Sequence, residues 1–173
     1  EFWLHTITVY GDFIALPGVM GGPHYRNGHT YHLLENSNWE DAEAKAIEMG
    51  GHLVTVDDAA ENAWLFDTFS DGDTRNLWTG FNDANYDGVF EWASGDDVTY
   101  TNWHLGDASY GSGPQPDGDP YVHTWAPFGG DWNDVGNIAT GIWPGGTSLY
   151  GVVEIVPEPA TMSLLALGAL ALL

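Results

Sequence analysis

Helix signals are confined to the first part of the chain, and this restricts the fold more than any other feature. Ser37-Asn38-Trp39-Glu40 has the spacing of a capping box. The Ser37 hydroxyl is expected to accept the Glu40 amide while the Glu40 carboxylate reaches back. Ala42, Ala44, Ala46, Ile47 and Met49 follow, and Gly50-Gly51 ends the run. Asp58 with Glu61 repeats the pattern, and Trp64, Leu65, Thr68 and Phe69 recur at helical spacing up to Asp71-Gly72-Asp73. These spacings predict helices over 38–49 and 59–69, with Trp39, Ala42, Ala46 and Met49 or Ile47 on a buried face.

From Leu77 to Val156 the chain is rich in Gly, Asp and Trp. It carries short β-type segments at 77–79, 89–92, 98–101, 121–125 and 149–156, after earlier ones at 6–10, 30–35 and 53–56. Gly18 to Gly28, with its Pro and His, reads as a loop. Two early helices and many later strands give an α+β class with segregated helices. The stretch 103–120 is long for a loop in a compact domain, and long ordered loops usually carry function.

The length of 173 residues suits about one domain. There are 25 acidic and 3 basic residues (Arg26, Lys45, Arg75), a net charge of −22. No basic patch exists to release phosphate counterions or to dock on anionic lipid, which excludes nucleic acid as a partner. An acidic chain suits cation binding. With no cysteine there is no disulfide, thiolate site or thiol nucleophile.

Five ordered motifs resemble the C-type lectin-like domain, of the bacterial kind that carries a PEP-CTERM tail. They are the run from Trp39 to Leu65, opened by Asn27-Gly28-His29-Thr30-Tyr31; Trp78-Thr79-Gly80-Phe81; Tyr100-Thr101-Asn102-Trp103; Gly130-Asp131-Trp132-Asn133-Asp134; and Tyr150-Gly151-Val152-Val153-Glu154. The resemblance implies two helices flanking small antiparallel sheets, with a long loop region. It divides the chain into an N-terminal segment 1–26 of unclear role, a lectin-like domain 27–156 and a tail 157–173. Trp78, Phe81, Trp92, Trp103 and Trp132 are expected to be mostly buried. Members of the family often have two disulfides, and the matching places here are Ala46 with Val153 and Tyr121 with Asn137, so apolar packing must hold the core.

The resemblance also implies a calcium site. Gln115-Pro116-Asp117 has the form of the family's QPD loop motif, Asp119 matches the acidic residue downstream, and Asn133 with Asp134 complete the cage. Calcium takes oxygen ligands, which these amides and carboxylates supply. Open positions on such an ion receive two adjacent sugar hydroxyls, with Gln115, Asp117, Asp119, Asn133 and Asp134 binding both ion and carbohydrate. The QPD order implies galactose-type over mannose-type hydroxyls. Trp125, Trp143 or Tyr121 is available to stack on a sugar face. The family's usual loop spacing from Trp103 lands instead on Asp107-Ala108-Ser109, so the QPD register requires an insertion over 109–114. Asp83 and Asp87 match an auxiliary ion site; the alternative there is a plain turn around Asn85-Tyr86-Asp87-Gly88. The number of ions, one, two or none, stays open at this point.

Zinc is not expected: His29 and His32 fall on opposite faces of a strand, and His104 and His123 have no local partner. No Gly-x-Ser-x-Gly elbow is present, and the chain is not expected to be an enzyme. After Pro157-Glu158-Pro159 the apolar run 160–173 resembles a PEP-CTERM sorting signal, processed by an exosortase-type enzyme after transient membrane contact. It falls short of the ~20 residues of a spanning helix, and the family's basic cluster does not follow, so the chain is expected to be cut short at this end. The expected protein is exported, at the cell surface or in an extracellular matrix, and binds a glycan or extracellular polysaccharide. The alternative is a structural or protein-interaction module of a cell-surface layer or extracellular polymer.

Overall fold

In chain order the elements are β1 (Val19–Arg26), β2 (His29–Asn36), α1 (Trp39–Glu48), β3 (His52–Leu53), α2 (Ala59–Phe69), β4 (Asn76–Asn82), β5 (Glu91–Trp92), β6 (Tyr121–Trp125), β7 (Asp131–Val135) and β8 (Leu149–Ile155). A 3-10 turn, Ala126–Phe128, joins β6 to β7. The computed structural model describes residues 16–104, 119–139 and 148–157. The segment 1–15 and the tail from 158 lie outside the described residues.

Both helices form where their capping signals fall, with one shift. Asn38, not Ser37, caps α1: its Oδ1 accepts the Asp41 amide at 2.8 Å, and its Nδ2 donates to the Asp41 carboxylate at 2.9 Å. Glu40 does not reach back, because its carboxylate accepts the Tyr121 hydroxyl at 2.9 Å instead. Asp58 caps α2, accepting the Glu61 amide at 2.8 Å, while Glu61 reaches the Asp57 amide at 3.0 Å.

The strands run β1-β2-β8-β4-β6-β7, with β3 also paired to β8 and β5 to β4. Pairing is antiparallel except between β4 and β8. A parallel pair needs a long crossover, and here that connection contains β5, β6, β7 and the long loop region. Gly18 to Gly28 is not a loop. Val19–Arg26 pairs with β2 through a register interrupted twice, between Val19, Gly21 and His24. An edge strand with bulges tolerates the Gly and Pro that argued against a strand. Residues 98–101 form no strand. They are held by Tyr100 packing edge-on to Trp132, ring centroids 5.7 Å apart, and by a single bridge from Trp103 to Trp132.

Alternation along the central strands feeds two cores. Tyr31, Leu33, Leu77, Phe81, Val122, Trp132 and Val152 pack with Leu65 and Phe69 of α2. Leu34, Trp78, Tyr121, Val135, Leu149 and Val153 pack with Trp39, Ala42 and Ala46 of α1. Trp39, Ala42 and Ala46 are buried and Met49 is half-buried against the same cluster, as expected of this face, while Ile47 is exposed. Trp78, Phe81, Trp92 and Trp132 are buried, and Trp103 is half-buried. Gly80 lets β3 approach β4: a Cβ there would lie 2.5 Å from the Leu53 carbonyl oxygen.

Hydrogen bonding and packing occupy the places where the resemblance sets disulfides. Ala46 and Val153 are fully buried in one cluster. Tyr121 stacks on Trp39 at 4.4 Å and donates to Glu40, whose amide donates to Asn137 Oδ1 at 3.1 Å. Tyr121 and Asn137 are thus joined through the first turn of α1. Tyr121→Phe keeps the stack and loses the charged hydrogen bond, so urea unfolding should show a loss of about 1–2 kcal/mol.

A second buried polar cluster ties β2, α2 and β8. The Tyr31 hydroxyl lies 3.1 Å from Glu61 Oε1 and 2.9 Å from Glu154 Oε1. Glu154 Oε2 accepts the Thr55 amide, and His29 Nδ1 lies 2.6 Å from Glu154 Oε1. One phenol proton cannot serve both carboxylates at once. Burial, with Glu154 adding its charge, pushes the Glu61 carboxyl above the ordinary 4.5.

Candidate functional site

The β6–β7 hairpin carries the part of the expected site that falls on described residues. Tyr121 pairs with Val135, Val122 with Asp134 and His123 with Asn133. Extending this register carries Asp119 past the end of β7. A Cβ built on Gly136 would lie 3.5 Å from Asp119 Oδ1. Asp119 and Asp134 therefore lie toward the open end of a two-strand ribbon, with Asn133 at its middle. Gln115, Asp117, Trp143 and the competing Asp107-Ala108-Ser109 register lie outside the described residues.

Trp132 fixes this ribbon against the core. Its Nε1 donates to Asn62 Oδ1 of α2 at 2.6 Å, and its ring packs on Phe81, Trp92 and Trp103. The next two side chains are buried as well: Asn133 is 1% exposed and Asp134 4%. Asn133 Nδ2 donates to the Asp134 carbonyl at 2.8 Å. Among the described residues nothing donates a hydrogen bond to the buried Asn133 Oδ1. An acceptor left this way costs about 1–3 kcal/mol, and it suits a cation.

Opposite Asn133 stands His123, fully buried, its ring edge-on to Trp78 at 5.9 Å. Its Nδ1 donates to the Thr124 carbonyl at 2.8 Å. Burial outweighs that hydrogen bond and pulls its pKa down to about 4. The imidazole beside Asn133 is thus neutral at neutral pH and sets no charge against a cation. The three basic residues are engaged elsewhere, Arg26 with Glu61, Lys45 with Glu48 and Arg75 with Asp71.

Asp83 and Asp87 occupy a turn. The two Asp83 carboxylate oxygens accept the Asp87 and Gly88 amides at 3.0 and 3.1 Å, and Asp87 Oδ1 accepts the Val89 amide. No group of three or more His, Asp or Glu side chains arranged to hold a metal occurs among the described residues.

The aromatic side chains near the ribbon differ from expectation. Tyr121 has its face on Trp39, and Trp125 is 7% exposed with Phe128 at 4.4 Å and His104 at 5.3 Å. The exposed ring at this hairpin is Phe128, which the sequence reading did not single out. A signal existed: an aromatic residue between Pro127 and Gly129 sits in a turn, where no strand face buries it.

Comparison with known proteins bears on the whole ribbon. The family model described as the Lectin C-type domain matches residues 35–135. A perlucin-like protein of Mytilus galloprovincialis is 29% identical over 118 residues, covering 66% of this chain and 72% of that protein. The hepatic lectin of Gallus gallus is 31% identical over 117 residues, covering 64% of this chain and 51% of that protein. Among solved structures, the C-type lectin CEL-I from Cucumaria echinata superposes with a TM-score of 0.64 at 22% identity, covering 84% of this chain and 99% of that one. A calcium-independent type II antifreeze protein superposes with a TM-score of 0.61 at 17% identity, covering 83% of this chain and 95% of that one. These two likenesses show the fold alone. No described helix is long and apolar enough to cross a membrane.

Proposed function

Because this chain belongs to the C-type lectin domain family, we propose that it is a non-enzymatic binding protein that takes a glycan through calcium at Asp119, Asn133 and Asp134. The observation that carries the reading is the buried Asn133 Oδ1, an amide oxygen to which nothing donates among the described residues. It lies next to a buried carboxylate on the same strand. An all-oxygen donor set of amide and carboxylates matches a hard cation. Gln115 and Asp117 complete this set in the proposal. When bound, calcium offers coordination positions to two adjacent sugar hydroxyls. The chain's own part is to orient those hydroxyls: amides donate to them and carboxylates accept. The order Gln115-Pro116-Asp117 favours galactose-type sugars. An auxiliary ion at Asp83 and Asp87 would have to compete with the backbone amides that Asp83 already accepts.

Calcium titration of the thermal melt tests this. A ligand that binds only the folded state stabilises it by about 2.7 kcal/mol at a hundred times its Kd. The melting temperature should therefore rise with calcium and fall back with chelator, and Asp134→Ala should abolish the rise. A melt indifferent to millimolar calcium would overturn the calcium reading. The second reading, a structural or protein-interaction module in an extracellular layer, draws on the fold likeness to the calcium-independent antifreeze protein. A calcium-indifferent melt with no glycan bound would support it. In either reading the protein works outside the cell. The tail 157–173 is proposed as a sorting signal for an exosortase-type enzyme, after transient contact with the membrane.

A further inference from the structure

The hairpin that carries the candidate site ends in an aromatic cluster that serves neither core. Phe128 is 44% exposed at its tip. Its position is set by the turn, since Gly129 and Gly130 take φ of 66° and 89°, a region that favours glycine. One side of the ring is backed by Trp125, at 4.4 Å between centroids, and by His104 at 4.2 Å. The ring is therefore a supported platform, and little freedom remains to be lost when something stacks on it.

Beside the platform lies an oriented carboxylate. Asp131 Oδ2 is 3.0 Å from His104 Nδ1, and Oδ1 accepts Asn102 Nδ2 at 3.4 Å. The Asp131 side chain is 39% exposed and His104 19%, and each carboxylate oxygen keeps acceptor capacity. The backbone is pinned here too: the Trp132 amide donates to Asn102 O at 2.7 Å, and the His104 amide to Trp132 O at 3.0 Å. Asp131 and Asn133 are two residues apart on β7, which sets their Cα atoms about 7 Å apart on one face of the strand.

We propose that this tip is a second saccharide subsite. Phe128 stacks on the C–H face of a sugar ring, and Asp131 accepts its hydroxyls, while a neighbouring ring of the same oligosaccharide is held at Asn133 and Asp134. The inference rests on the reading of that first site. A pyranose offers what this surface matches, an apolar face bordered by hydroxyl donors. The excess of 25 acidic over 3 basic residues favours a neutral saccharide over an anionic one.

The test compares wild type, Phe128→Ala and Phe128→Trp in calcium. Methyl galactoside and methyl mannoside are the one-ring probes, set beside di- and trisaccharides ending in the same sugars. Phe128→Ala should leave one-ring affinity and the calcium-dependent melt unchanged and weaken oligosaccharide binding about three- to tenfold. Phe128→Trp should restore it. Equal oligosaccharide affinity in all three proteins, with one-ring binding intact, overturns the subsite and leaves the first site standing. Failure of wild type to bind any of these sugars in calcium overturns both.

Discussion

Trp132→Ala should lower the free energy of unfolding by about 3–5 kcal/mol, among the larger losses a single core truncation produces. Three effects add at this position. The side chain is 1% exposed, so its removal leaves a cavity rather than a surface. Its ring contacts Phe81, Trp92, Tyr100 and Trp103, and its removal takes a packing partner from each of those rings. Its indole N–H is the donor to Asn62 Oδ1, an acceptor then left buried. In a domain of this size the melting temperature should fall by about 6–20 °C. Trp132→Phe separates the terms, because it keeps most of the ring and removes the donor, for about 1–3 kcal/mol. A loss below 1 kcal/mol for the alanine variant in urea unfolding would show that β7 is held by its ladder alone. The variant should also lose the calcium response, since Asn133 and Asp134 depend on the same strand.

Acidification should destabilise the domain through His123. Its folded pKa is about 4, against 6.5 for an ordinary imidazole. The folded state thus binds fewer protons than the unfolded chain between these values. Stability is fully present above pH 6.5 and is lost as pH falls toward 4, by about 1.4 kcal/mol per unit and some 3 kcal/mol in all. Glu61 acts in the opposite sense. Its folded pKa is raised, so its contribution is present below 4.5 and is lost as pH rises through the raised value. Urea melts between pH 7 and 4 read both. His123→Asn, which retains a donor for the Thr124 carbonyl, should flatten the acid loss, and Glu61→Gln should steepen it. A wild-type stability that is level from pH 6.5 to 4.5, with no change in slope for His123→Asn, would mean that the ring is hydrated in solution.

The capped helices, the segments 121–125 and 149–156 (the latter a strand to Ile155) and the burial of Trp78 and Trp132 were legible in the sequence. The helices and strands are written in spacing of a few residues, a cap and its partner three apart and side chains alternating along a strand; the burial of the two Trp followed from the family resemblance. What the sequence did not contain depends on partners brought together from far along the chain. Glu40 leaves the expected capping box because Tyr121, 81 residues away, supplies a better donor. Val19–Arg26 becomes a strand despite its Gly and Pro because β2 offers an edge, where bulges are tolerated. In the sequence His123 is one of several scattered histidines, yet in the fold it is sealed between Trp78 and β7 and loses its charge. Phe128 belongs to no motif of the sequence, yet the two-glycine turn between β6 and β7 holds it out in solvent. Local order follows from the backbone's short periods. Burial, charge state and the shape of the binding face follow from which surfaces meet, and only the folded chain sets that.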